Sequence, residues 1–221
     1  MWSTPVDLYC ERRDPAFWAE PVNALTNLAF LLAAAAAFVL WRRSAARDGA
    51  VLVLIVVTVL VGLGSFAFHT LATRGASLLD VVPIALFIYG YFWFALHRFV
   101  GLAWPRALAA TIAFFILSSW FPAQLPRGFL NGSGGYLPAW AAMVGIGAWL
   151  MRRRHPAGRP ILAAALVFTL SIACRAIDQA VCATTPLGTH FLWHLLNALV
   201  LYLLLRAAIV HGAPRVTPIR S

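Results

Sequence analysis

Residues 188–210 read GTHFLWHLLNALVLYLLLRAAIV. The run is long enough to cross a hydrocarbon core, which takes about 20 residues of helix. A helix satisfies its own backbone hydrogen bonds in lipid, so the run predicts a membrane-spanning helix. Two histidines, His190 and His194, lie four residues apart at its start. A polar ring in an apolar setting costs free energy unless it is paired, so both histidines need partners.

Similar apolar runs fill the rest of the chain. Hydrophobic residues make up 62% of the sequence and charged residues 11%, whereas average globular chains carry about 25% charged residues. Alternating strand patterns are absent. We therefore predict an all-α polytopic membrane protein, a single domain in which seven transmembrane helices form a bundle between an acidic N-terminal segment (1–21) and a short tail (211–221). The predicted spans are residues 22–41, 50–71, 78–97, 105–121, 137–151, 160–178 and 188–210.

The distribution of positive charge predicts the orientation of the bundle. The net charge is +10, and the 17 basic residues are all arginine. Most of them fall in the connections after spans one, three and five and in the tail, which favours a topology signal over nucleic-acid binding. By the positive-inside rule those segments are cytoplasmic and the N-terminus is outside. A sequence rich in alanine and arginine and without lysine suggests a GC-rich bacterium, so we expect the inner membrane, with the site facing outward.

The histidine pair in span seven has a third histidine at a similar depth. His190 and His194 share one helix face, and His69 lies near the outer end of span two. Three protein ligands and one open position are typical of catalytic zinc. The alternative is that each histidine only hydrogen-bonds a neighbouring helix.

Two more polar residues accompany His69. Ser65 precedes it by one helical turn, and Asp80 follows at the start of span three. A catalytic zinc lowers the pKa of its water to about 7. Asp80 is then the candidate acid–base and Ser65 the candidate donor to an oxyanion, which together describe metal-assisted hydrolysis of an amide or ester. Alternatively, Ser65 is a small packing residue and Asp80 caps span three.

Ser65-x-x-x-His69, Asp80 and His190-x-x-x-His194, in this order, resemble the pattern of the alkaline ceramidase family. These proteins are seven-helix intramembrane zinc amidases in a superfamily that also contains the adiponectin and progestin receptors. The resemblance implies a zinc ion on the three histidines and a ceramide-like N-acyl lipid as substrate, hydrolysed to a fatty acid and an amine-bearing lipid. The alternatives are a zinc-containing receptor or sensor, which the short loops disfavour, and a proton-relay transporter.

The N-terminal segment extends the resemblance. Alkaline ceramidases bind calcium with an Asp-Trp-Cys-Glu segment and a later Glu, which Cys10-Glu11 and Glu20 match here. The aspartate is displaced by one residue, and Arg13 stands where the family has an asparagine ligand. The alternative is a helix-capping segment in which Arg12 and Arg13 form salt bridges to the acids. The candidate calcium ligands are Asp7, Glu11, Asp14 and Glu20.

The resemblance also implies a disulfide between Cys10 and Cys182. Both cysteines are predicted outside, in an oxidising compartment where a disulfide persists. The alternative is two free thiols. Arg175 and Asp178, three residues apart near the outer end of span six, are predicted to form an ion pair.

Overall fold

The computed structural model describes residues 2–213. Most of the predicted tail, 211–221, therefore lies outside the described residues. The described part is all-helical, as predicted, apart from an isolated β-bridge between Pro5 and Thr73. The helices are α1 Pro21–Thr26, α2 Leu28–Arg43, α3 Gly49–Leu71, α4 Arg74–Phe94, α5 Trp104–Trp120, α6 Leu137–Arg152, α7 Gly158–Val181 and α8 His190–His211.

Every predicted span coincides with a helix, and the largest error in a starting point is at α4. This helix begins at Arg74 because the Thr73 hydroxyl accepts a hydrogen bond from the Ala76 amide and caps the N-terminus. Asp80 consequently lies in the second turn of α4. The predictions that Asp80 opens this helix or caps it are both wrong.

Within residues 2–213, six helical segments are long and apolar enough to cross a membrane. The first combines α1 and α2 as Pro21–Arg43, and the third extends α4 through a π-helical turn to Val100. Helix α6, at the fifth predicted span, has only 16 residues. The protein is thus a multi-pass membrane protein, while the count of seven spans stays a prediction.

Helix α8 lies at the centre of the bundle. It packs against α2, α3 and α7, while α5 packs mainly on α4 at the edge. Leu205 of α8 is fully buried. Leu32, Leu117 and Leu166 on the outer helices are largely exposed, and apolar surface of this extent marks a membrane-facing protein.

Residues 2–20, which we call the N-terminal strap, run across the end of the bundle at which α3 ends and α4 begins. The Val6 amide donates to the Ala72 carbonyl at 2.8 Å, and the Arg74 amide donates to Thr4 at 3.0 Å. Ala72, between α3 and α4, adopts a left-handed conformation with φ 43°. The strap is thereby fixed to the α3–α4 turn and lies beside the ends of α3 and α8.

Candidate metal centre

His69, His190 and His194 converge at the end of the bundle beside the strap. They contribute ligand nitrogens that all lie within 4.8 Å of one another. Each side chain is at most 2% exposed. Among the described residues, this is the one group of three or more His, Cys, Asp or Glu side chains that can hold a metal ion. The sequence predicts that the three histidines lie at a similar depth in the membrane, and the structure shows that they are neighbours.

The start of α8 is fixed by Asp178, a fully buried residue. Its Oδ1 accepts hydrogen bonds from the amides of Thr189 at 2.6 Å and His190 at 2.9 Å. A carboxylate at a helix N-terminus satisfies free amides and is favoured by the helix dipole. Gly188 makes this possible, because it adopts φ 67° and because a Cβ there would collide with the carboxylate.

The predicted ion pair between Arg175 and Asp178 is wrong. Asp178 faces the start of α8, and Arg175 turns the other way. Its Nη1 donates to the Ser133 hydroxyl at 2.8 Å, and its guanidinium lies over the rings of Tyr136 and Trp193, 5.6 Å from each centroid. Spacing on one helix permitted the pair, but tertiary partners on other elements offered better geometry.

The tautomer of His69 is set by Glu20. Nδ1 of His69 lies 2.6 Å from Oε2 of Glu20. Burial raises the pKa of Glu20, but hydrogen bonds from His69, Arg12 and Asn23 outweigh burial and hold that pKa below its usual range. An ionised carboxylate only accepts hydrogen bonds, so Nδ1 of His69 carries the proton. Nε2 is left with a lone pair, as in carboxylate–histidine–zinc arrangements.

The tautomer of His194 follows from Thr26. Nδ1 of His194 and the Thr26 hydroxyl are 2.9 Å apart. That hydroxyl has one proton and directs it to the carbonyl of Val22 at 2.8 Å. It must therefore accept from His194, which again leaves Nε2 as the free donor atom for a metal. Sequence reasoning missed Thr26, because no local pattern relates it to α8.

His190 is held by stacking. The ring of Tyr9 lies over it with centroids 3.5 Å apart and planes inclined by 16°. Tyr9 is buried, and burial raises the pKa of its hydroxyl. Nδ1 of His190 and Oδ1 of Asp80 are buried without a hydrogen-bond partner. Such atoms cost free energy. A metal ion on three imidazoles, with a polar substrate beside it, suits this donor set.

Ser65 and Asp80 meet where α3 and α4 come closest. The Ser65 side chain lies beside the Asp80 carboxylate, with His69 nearby. Gly64 permits this approach, because a Cβ there would collide with the carbonyl of Leu79. Sequence reasoning found Ser65 and Asp80 but missed Gly64, whose role depends on the neighbouring helix.

An apolar cavity leads away from this polar cluster. Ser65, Asp80 and His194 line its polar end, and it extends along α8 as far as Leu204. Ten residues of helix correspond to about 15 Å. The walls come from α2 to α8 and are mostly aliphatic and aromatic. The shape and polarity suit a long hydrocarbon chain with a polar group beside Ser65, Asp80 and His194.

The four acids implied in calcium binding do not form one group. Glu20 is buried among nitrogen donors, while Asp7 and Asp14 are exposed. Glu11 accepts hydrogen bonds from the amides of Val22 and Asn23 at the start of α1. The structure supports the other interpretation of this segment, in which acids cap a helix and form a salt bridge, here between Arg12 and Glu20.

Cys10 and Cys182 form a disulfide, as the resemblance implied, with Cα atoms 5.1 Å apart. The Cys10 amide also donates to Asp178 at 3.2 Å. The strap is thereby joined to the end of α7, directly beside the first residue of α8. Cys174 is free and partly buried.

Comparison with known proteins identifies the family to which the chain belongs. A search of the curated proteins found no match. A family model described as Ceramidase matches residues 9–214, which include every residue of the candidate metal centre. That match confirms the family suggested by the histidine, serine and aspartate pattern. The chain belongs to the ceramidase family and is a multi-pass membrane hydrolase that acts on an amide bond of a lipid.

Proposed function

We propose that the protein is an intramembrane zinc-dependent amidase that hydrolyses the N-acyl amide of a ceramide-like lipid. One observation carries the proposal: three buried histidines meet Ser65 and Asp80 at the polar end of an apolar cavity. His69, His190 and His194 are the proposed zinc ligands. The lipid enters from the bilayer with its acyl chain in the cavity and its amide beside the histidines.

The proposed hydrolysis uses both the zinc ion and side chains of the protein. Zinc, when bound, lowers the pKa of water and polarises a carbonyl. Asp80 accepts a proton from the attacking water and delivers it to the leaving nitrogen. Ser65 donates a hydrogen bond to the oxygen on which negative charge develops. The amide C–N bond breaks and a C–O bond forms, so the products are a fatty acid and an amine-bearing lipid.

We also propose that the centre faces the outer side of a bacterial inner membrane. The arginine-rich connections support a cytoplasmic location for the opposite end. The strap and its disulfide lie at the same end as the three histidines. An oxidising compartment favours that disulfide.

The proposal is tested first by metal content. We expect elemental mass spectrometry to find about one zinc ion per purified chain, and His194→Ala to lose it. His211→Ala, at the opposite end of the same helix, is the matched control and should retain the ion. A folded wild-type protein that contains no zinc after chelator-free purification would contradict the proposed zinc-dependent mechanism.

A further inference from the structure

Arg12 is a buried cation at the base of the strap. Its side chain is 5% exposed. Nε donates to Oε1 of Glu20 at 2.5 Å, and Nη2 donates to the backbone carbonyl of His69 at 2.9 Å. Nη1 reaches the carbonyls of Asp14 and Ala16. One guanidinium thus joins the strap to the last turn of α3.

The same group acts on the imidazole of His69 through Glu20. One carboxylate oxygen of Glu20 accepts from Arg12, and the other accepts from Nδ1 of His69. Arg12 therefore holds His69 at two points, its carbonyl directly and its ring through the carboxylate. A positive charge at the C-terminal end of α3 is also favoured by the helix dipole.

A calcium ion does not fit this arrangement. Calcium takes six to eight oxygen ligands, and both oxygens of Glu20 are already occupied by nitrogen donors. Glu11 is engaged with backbone amides at the start of α1. A divalent cation beside Glu20 would have to displace a guanidinium that is itself buried and makes hydrogen bonds through all three of its nitrogens.

We propose that Arg12 is a positioning residue that replaces a divalent cation: its guanidinium fixes Glu20 against His69, so the metal centre needs no calcium. This inference rests on the proposed function, because it takes His69 as a zinc ligand. It makes the strap part of the zinc site rather than a separate calcium-binding module.

The proposed role of Arg12 leads to two predictions that can be measured. The first concerns the wild type: after equilibration with millimolar calcium, elemental mass spectrometry should find zinc but no calcium, and the melting temperature should not change. Stoichiometric calcium, or a rise in melting temperature with calcium, would overturn the proposal. This arm needs no variant, so a poorly folding mutant cannot obscure it.

The second claim concerns zinc affinity, measured by competition with a chelator. Arg12→Gln should weaken zinc binding about 10–100-fold, the range seen when a partner of a metal-bound histidine is lost. Arg13→Gln, an exposed neighbour, should bind zinc as the wild type does. If Arg12→Gln lowers only the melting temperature and leaves zinc affinity unchanged, Arg12 is merely structural and the proposal is wrong. A wild type without zinc would instead refute the proposed function itself.

Discussion

At the scale of single residues, hydrogen bonds to the far side of two of the three imidazoles prepare the site for a metal ion. Glu20 and Thr26 orient His69 and His194 so that each ring presents Nε2 to the centre. The histidines could be predicted from spacing, because i and i+4 share a helix face. Thr26 could not, because it lies 168 positions from His194 and only tertiary packing makes them neighbours.

A substitution of Asp80 tests catalysis separately from metal binding, because Asp80 is the proposed acid–base and is not a proposed zinc ligand. We expect Asp80→Asn to lower kcat by about 10²–10⁴-fold, the usual contribution of general acid–base catalysis, because an amide cannot accept the proton from water. Zinc content should not change. The measurements are fatty-acid release from an N-acyl lipid and elemental analysis of the same sample.

Asp14→Asn is the matched control, since Asp14 is an exposed acid of the strap. It should retain wild-type turnover. Loss of zinc together with activity in Asp80→Asn would assign Asp80 to the metal or the fold, and an unchanged kcat would exclude it as the acid–base.

At the scale of elements, the contact between α3 and α4 determines whether Ser65 and Asp80 can act together. Gly64 lies against the backbone of Leu79 at this crossing. Small residues let transmembrane helices approach closely. The position of Gly64 directly before Ser65 links helix packing to the proposed catalytic pair, Ser65 and Asp80.

Gly64→Ala should force the two helices apart. Overpacking of this kind costs about 1–3 kcal/mol, so we expect a lower melting temperature and weaker lipid hydrolysis. Gly145→Ala in α6 is the control, because a Cβ there meets nothing within 4 Å. Equal melting temperatures for the two variants would show that the crossing tolerates a side chain.

The helices themselves were largely predictable, because long apolar runs leave few alternatives in a bilayer. The start of α4 was misplaced because the predicted span began with apolar residues, whereas the helix begins at the cap supplied by Thr73. Helix α6 illustrates the other difficulty. Its 16 residues form a helix where one was predicted, but they are fewer than the about 20 residues that a hydrocarbon core takes.

At the scale of the whole molecule, the N-terminal strap connects regions far apart in the sequence. It reaches the α3–α4 turn, the last turn of α3 and the end of α7. Val6 and Thr4 make the first contact, Arg12 the second and Cys10 the third. The family pattern indicated where the cysteine pairs, but neither the stacking of Tyr9 nor the burial of Arg12 follows from any spacing in the sequence.

Removal of the disulfide should loosen the strap. We expect the Cys10→Ser, Cys182→Ser double variant to lose about 2–5 kcal/mol, as is typical when a native disulfide is removed, and to release zinc faster. The measurements are thermal unfolding in detergent and the rate of zinc transfer to a chelator. Cys174→Ser, which removes a free thiol, should behave as the wild type in both. An unchanged melting temperature and zinc release rate in the double variant would show that the strap is held by its other contacts alone.

The strap beside the histidines and the long apolar cavity determine which lipid concentration governs turnover of the proposed enzyme. Tyr9 is stacked on His190 and the cavity walls are mostly apolar, so on the proposed function lipid would reach the centre by lateral diffusion and not from bulk water. Its rate should then follow the mole fraction of lipid in the surrounding surface, a two-dimensional quantity. Added detergent would slow turnover by surface dilution, even when the molar amount of lipid is constant.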